Sequence, residues 1–334
     1  MSIQTPKLED VATKAGVSTA TVSRCLNQPE KVIAETRERV MAAVKALGYS
    51  PNFGARALAS RQTRTIAAVI PTMENAIFAQ GLQAFQEELS KEGFTLLVAT
   101  SGYDRDAEEA QIRSLVARGA DGLLLIGHDR DLSVYDFLKT QGVPVLAAWA
   151  YDSNASIPSV GFDNEQAMAE MAKLVLRNQH RKTAVLTVAA SVDDRARFRI
   201  VGLQKVFKQA GVKRPEIVEC TLSITGGANG FKTVMDQSNR PTAVMCLNDA
   251  IAVGAIMQAR EMGITVPDQV SITGFADIEL ARVINPALTT VHLPHSEMGR
   301  LAAKTLLEMA QGEKNPKSIC LPTFVQERAS LGKI

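Results

Sequence analysis

The sequence predicts a small all-α helix-turn-helix domain at the N-terminus, joined to a large α/β core of two similar lobes with parallel sheets. Three observations predict it. Short helical patterns broken by glycine turns occupy the first fifty residues. From Thr65 onward, β-rich runs alternate with longer helical patterns, and that alternation comes in two series separated near Asp163. A length of 334 residues exceeds the usual single domain, so more than one folding unit is expected. A hydrophobic share of 46% with 22% charged residues is the balance of an ordinary soluble globular chain, not a disordered one.

The first element is LEDVATKA, where Leu8, Val11, Ala12 and Ala15 recur at helical spacing before Gly16-Val17-Ser18 interrupts with turn chemistry. Ser18 then reads as the N-cap of a second helix. Val22 and Leu26 share one face of it, while Thr19, Ala20, Ser23, Arg24 and Asn27 project elsewhere. A third helix runs from about Ala34 to Leu47, with Val40, Val44 and Leu47 as its buried stripe and Gly48 as its stop. Two short helices around a tight glycine turn, followed by a third, make a helix-turn-helix. A second helix kept polar on its exposed face suits the major groove, where hydroxyl, amide and guanidinium groups meet base edges and phosphates, and Arg24 is the candidate for a specific contact.

Charge agrees with that reading. Residues 1–64 carry ten basic and five acidic groups, so the head stands at +5 and the remainder of the chain at −3. A positive head on a mildly acidic body suits a polyanion, because each neutralised phosphate releases condensed counterions; a merely solvated basic surface is the alternative. No apolar run reaches eighteen residues and the N-terminus lacks a charged region followed by an apolar one, which predicts a cytoplasmic protein with no membrane partner. The cysteines Cys25, Cys220, Cys246 and Cys320 share no CxxC spacing and are expected to be buried, reduced thiols. The four histidines do not cluster, and neither a metal site nor a cofactor is expected.

The stretch LEDVATKAGVSTATVSRCLNQPEKVIAETRERVMAAVKALGYSPN resembles the DNA-binding head of the lactose-repressor (LacI-type) family nearly position for position, with DVA, AGVS, TVSR, LN, TRERV and LGYxPN in order. The resemblance implies that Thr19, Ala20 and Arg24 face bases, and that Thr21, Ser23, Asn27 and Lys31 contact backbone or groove edges. Asn52, in the LGYxPN match, joins this set. It also implies a homodimer on a near-palindromic double-stranded operator, acting at the nucleoid, because two-fold protein symmetry is mirrored by half-sites. Residues 1–50 are then the DNA-binding domain and 51–64 a hinge. Pro51 disfavours helical geometry at Ser50, and NFGARALASRQTRT is short of bulky core residues, as a linker would be. In the similar family this segment becomes a helix on DNA and a leucine wedges into the minor groove; Leu58 occupies that position, while Phe53 and Gly54 depart from the commonest pattern.

Residues 65–334 form the core. Its strands are expected at TIAAVIP, TLLVAT, GLLLIG and VPVLAAW, then at TAVLTV, IVEC, TAVMC and VSITGF. Lobe 1 is assigned residues 65–163 and 293–321, and lobe 2 residues 164–292 and 322–334, with crossings near Asp163, His292 and Leu321. A ligand cleft belongs between the lobes at the carboxyl ends of the strands. This periplasmic-binding-protein-like fold is shared with exported sugar-binding proteins, and fold alone does not decide function. An enzyme would need a phosphate loop, a nucleotide fingerprint or a triad. Gly226-Gly227-Ala228-Asn229-Gly230 has neither GxGxxG nor GxxxxGK[ST] order and reads as a loop opening a helix. The competing function is a cytoplasmic sugar-binding or sugar-modifying protein without operator specificity.

By the same resemblance, Asn75, Ile77 and Phe78 line the cleft floor, Arg199 grips ligand hydroxyls or a carboxylate, and Asn248 with Asp249 form a polar pair near the ligand; Asp249 also reads as a helix N-cap. Arg197 reads as a lobe-surface charge. Where many sugar-responsive members have two consecutive aspartates, this chain has Gly274-Phe275-Ala276-Asp277, and a further aspartate is replaced by Trp149. Keeping Arg199 while losing two carboxylates makes the cleft more positive, and VGFDNEQA resembles gluconate-type repressors. The expected effector is a small molecule, a sugar acid or a sugar, controlling repression of carbohydrate or sugar-acid catabolism.

Overall fold

A computed structural model describes residues 5–50, 62–74, 76–314 and 316–334. The chain divides at Thr63 and Arg64 into a small N-terminal unit and a large one. Helices α1 (Leu8–Ala15), α2 (Thr19–Asn27) and α3 (Ala34–Leu47), with a single 3-10 turn at Pro29–Lys31, make the small unit. Gly16 and Gly48 end α1 and α3 in the left-handed conformation at φ +63° and +62°, where a side chain would be strained. The Ser18 hydroxyl accepts the Thr21 N–H at 3.2 Å and so caps α2. Val11, Ala12, Ala15, Val22, Cys25, Val40 and Ala43 form its core.

The large unit holds two six-stranded sheets. The first contains β1 (Thr65–Ile70), β2 (Thr95–Thr100), β3 (Gly122–Ile126), β4 (Val145–Ala148), β5 (Ser159–Gly161) and β11 (Ile319–Cys320), in the order β11-β5-β4-β3-β1-β2, all parallel. The second contains β6 (Thr183–Thr187), β7 (Glu216–Glu219), β8 (Ala243–Cys246), β9 (Ser271–Ala276), β10 (Thr289–His292) and β12 (Phe324–Gln326). Its order is β12-β10-β9-β8-β6-β7, and only β12 runs antiparallel to its neighbour. Both sheets reverse strand order beside their first strand, at β1/β3 and at β6/β8. That reversal opens a crevice at the carboxyl ends of each pair. β1, β3 and β4 are buried along their whole length and read as continuous apolar runs because helices cover both faces.

Those helices are α4 (Ala76–Lys91), α5 (Arg105–Ala117), α6 (Leu132–Gln141), α7 (Asn164–Arg177), α8 (Asp194–Gln209), α9 (Ile224–Met235), α10 (Asp249–Glu261), the short α11 (Glu279–Val283) and α12 (His295–Ala310). The chain leaves the first sheet after β5, returns after β10 to lay α12 against α4, and crosses again between β11 and β12. Gly226, Gly227 and Gly230 lie inside α9, so the expected loop is corrected to a helix. The reason is tertiary: a Cβ on Gly227 would sit 2.1 Å from the Ile251 carbonyl oxygen of α10, and one on Gly254 only 1.9 Å from that of Ile224. Missing side chains let the two helix backbones meet. The expected burial of all four cysteines is also corrected, since Cys320 is exposed and Cys220 half-buried, although all four are free thiols. Among the described residues, no helix is long and apolar enough to cross a membrane, and no group of three His, Cys, Asp or Glu side chains could hold a metal ion.

Candidate functional site

In the small unit the hydrophobic stripe of α2, Val22 and Cys25, turns inward, leaving the opposite face to solvent. Thr19, Ala20, Arg24 and Asn27 are exposed there, Thr21 and Ser23 are half-buried, and Lys31 is exposed on the following turn. Two of these side chains are held by the helix itself. Thr21 Oγ1 lies 2.9 Å from Ser18 Oγ, and Asn27 Nδ2 donates to the Ser23 carbonyl at 2.9 Å. The helix therefore presents hydroxyl, amide, methyl and guanidinium groups on one rigid ridge. Asn52 and Leu58 lie outside the described residues, as does Asn75 of the expected cleft floor.

In the large unit a cleft opens between the sheets. Ile77, Phe78, Tyr103 and Trp149 line it from the first, and Thr187, Asp193, Arg195, Arg199, Leu247 and Asn248 from the second. The free space within it is about 20 Å³, room for only a water or two between the lining side chains. Trp149 follows β4 with φ +59°, a left-handed backbone unusual for a large side chain, and cost of this kind concentrates at functional sites. Its indole is buried edge-on to Phe78 at 5.3 Å, and Nε1 has no protein partner among the described residues. Gly81 of α4 makes room for the ring, because a Cβ there would lie 2.5 Å from Trp149 Cζ2.

Arg199 sits on the inner face of α8 with its guanidinium 3.8 Å over the Phe275 ring. Nε donates to Asn164 Oδ1 and Nη1 to the Leu247 carbonyl, each at 2.8 Å, and Asn164 Nδ2 in turn donates to the Trp149 carbonyl at 3.0 Å. One amide side chain thus ties the tryptophan strap to the arginine. Both of those acceptors are neutral, and burial above all pulls the Arg199 pKa down to about 10. Four residues earlier Arg195 is differently served. Asp193, the N-cap of α8, accepts its Nε at 2.8 Å; burial opposes the Arg195 charge, but Asp193 and Asp194 outweigh it and hold the pKa above the ordinary value. Arg195 Nη1 remains buried without a protein partner among the described residues. Burial raises the neighbouring Tyr103 phenol to about 12, so it stays a neutral hydroxyl donor and acceptor.

Of the expected cleft residues the structure brings together Ile77, Phe78, Trp149, Arg199 and Asn248. Asn248 caps α10, its Oδ1 accepting the Ala250 N–H at 2.8 Å. Two expectations are corrected. Asp249 does not line the cleft: it is fully buried in the second lobe, accepting Thr290 Oγ1 at 2.6 Å and the Ile278 N–H at 2.9 Å. Ala276 does not line it either. At φ +128° its methyl packs in the main core cluster beside Phe275 and Ile278. The N-cap expected at Asp249 belongs to Asn248, one residue earlier. Sequence reading missed Tyr103, which lies in a loop with no motif of its own, and Asp193 and Arg195, because DDRARFR looks like the charged start of a surface helix; the capping potential of Asp193 was the available signal.

Comparison with known proteins bears on both units. Residues 7–52 match the model of bacterial regulatory proteins of the lacI family, and residues 63–329 match that of periplasmic binding proteins and the sugar-binding domain of the LacI family. The chain is 34% identical to the ribose operon repressor of Haemophilus influenzae over 315 residues, covering 92% of each chain. It is 30% identical to the HTH-type transcriptional regulator GntR of Escherichia coli over 323 residues, covering 96% of this chain and 97% of that one. The crystal structure of the lac repressor dimer bound to operator and an anti-inducer matches with a TM-score of 0.87 at 26% identity, over 98% of this chain and 99% of that one. A DNA-reading head on a two-lobed ligand-binding core, matched along nearly its whole length, makes this chain a member of the LacI family of bacterial transcriptional regulators.

Proposed function

We propose that the protein is a homodimeric repressor that reads a near-palindromic operator through α2 of each subunit and is controlled by a small carboxylate-bearing sugar, a sugar acid, in the cleft between its lobes. It works on nucleoid DNA in the cytoplasm. Arg24 reads a base, Thr19 and Ala20 face base edges, and Thr21, Ser23, Asn27, Lys31 and Asn52 position the helix on the backbone. Leu58 is the minor-groove wedge. In the cleft, Arg199 and Arg195 engage the ligand's anionic end, Trp149 and Phe78 wall its carbon face, and Asn248, Tyr103 and Asn75 meet its hydroxyls.

One observation carries the anionic reading: Arg199 is buried with two neutral acceptors, so an anion in the cleft would supply the counter-charge that its hydrogen bonds do not. Asp193 hydrogen-bonds Arg195 and not Arg199, and the charged side chains lining the cleft are Arg195, Arg199 and Asp193. The reading is tested by titrating the intrinsic fluorescence of Trp149, the chain's single tryptophan, with gluconate-type sugar acids, neutral sugars and purines. A saturable change with acids alone supports it. A response to neutral sugars alone, the behaviour that the ribose operon repressor's name suggests for that relative, would reject the acid and keep the regulator.

A further inference from the structure

We propose that the first turn of α8 is a latch that holds the two lobes together across the cleft mouth. Asp194, the first residue of α8, belongs to the second lobe, yet its carboxylate is buried against the turn that follows β3 in the first. Oδ2 accepts the His128 N–H at 2.6 Å. Gly127, at φ +71°, makes this approach possible: a Cβ there would lie 2.3 Å from Asp194 Oδ1. A turn further along α8, Arg197 Nη1 meets Asp129 Oδ2 at 3.1 Å, and the same oxygen is held by Arg105 of the first lobe at 2.9 Å. Arg197, expected as a lobe-surface charge, is part-exposed and makes this cross-lobe pair. Three consecutive residues of one lobe, 127 to 129, are thus gripped by two residues of the other.

The grip is of a kind that switches between two states. A carboxylate taken out of water is stable only while donors face it, so parting the lobes rehydrates Asp194 and breaks the contact as a unit. Arg195 lies between this latch and the cleft. It is 3.9 Å from Asp194 Oδ1, lines the cleft beside Trp149, and also lines a second, more polar pocket beyond it with Asp129 and Arg130. As a gate for the effector, the latch rests on the reading given above; as a contact between lobes it does not, and its test uses no effector, so the two fail separately.

The measurement is amide hydrogen exchange at His128 in the ligand-free full-length protein, its Asp194→Ala variant and its Gly127→Ala variant. The second variant keeps the carboxylate and forces it away. Exchange at His128 is expected to be at least tenfold faster in both variants than in the wild type, while the amides of Gly122–Ile126, bonded within the sheet, keep their wild-type rates. A wild-type His128 amide that exchanges like an open loop, or one that stays equally protected in both variants, would overturn the latch.

Discussion

Replacing Arg199 with methionine separates recognition from support. The pKa displaced from 12.5 to about 10 corresponds to about 3 kcal/mol against the charged form inside the fold. Methionine removes that penalty and keeps most of the stem's packing. It also strands Asn164 Oδ1 and the Leu247 carbonyl, each at about 1–3 kcal/mol when buried without a donor. Losses of about 2–6 kcal/mol against about 3 relieved give a net destabilisation no larger than about 3 kcal/mol. The response to ligand should change much more. At a hundred times Kd a bound sugar acid stabilises the wild type by about 2.7 kcal/mol, and that increment should vanish in the variant. Urea unfolding of both proteins, with and without the acid, reads both quantities. A loss beyond about 5 kcal/mol together with a retained ligand increment would make Arg199 a structural strut and not a ligand contact.

The remaining predictions concern the head, the second-lobe core and the tryptophan pocket. Arg24→Ala should cost about 1–3 kcal/mol of preference for a selected operator over random duplex and leave the salt dependence of random-DNA binding nearly intact; equal loss on both duplexes would assign Arg24 to phosphate. Burial lifts the Asp249 carboxyl to about 6, so its contribution to stability is full below pH 3.8 and lost as pH rises through 6. Burial lowers His295 to about 4, so its contribution is full above pH 6.5 and lost as pH falls through 4, opposing Asp249 over the same window. In Asp249→Asn the Asp249 slope is removed and the other groups keep theirs. The variant's stability relative to wild type should rise by about 3 kcal/mol between pH 4 and pH 7, read from urea midpoints, whereas a difference flat with pH would contradict it. Gly81→Ala, whose methyl meets the indole, should shift Trp149 emission and weaken sugar-acid binding at least tenfold at a stability cost of about 1–3 kcal/mol; unchanged emission and affinity would remove Gly81 from the pocket.

The head was legible because its signals are local. Helical spacing, Gly16, Gly48 and the Ser18 cap act within a few residues, and the helices follow them. Eight strands were legible for the same reason, each an apolar run bounded by turns. β5, β11 and β12 were not, since two or three residues carry no periodicity, and β10 was not because its place is decided by sheet neighbours far along the chain. The glycines of α9 misled because their purpose is contact with α10, which composition does not encode. In the cleft, sequence order located the strand ends but not the direction of each side chain. Asn248 faces the ligand space and Asp249, one residue on, turns into the core, where Thr290 and the Ile278 amide meet it. Arg195 and Asp193 were hidden in a charged run whose burial only the meeting of two lobes creates.

A ligand in the cleft and an operator on α2 are expected to be coupled, which operator affinity with and without saturating sugar acid measures. Anisotropy titrations of a selected duplex should show the operator Kd displaced by roughly 5- to 150-fold, with the acid's own Kd displaced by the same factor when operator is present. An acid that perturbs Trp149 yet leaves the operator Kd unchanged would mean that the cleft and the head are not coupled.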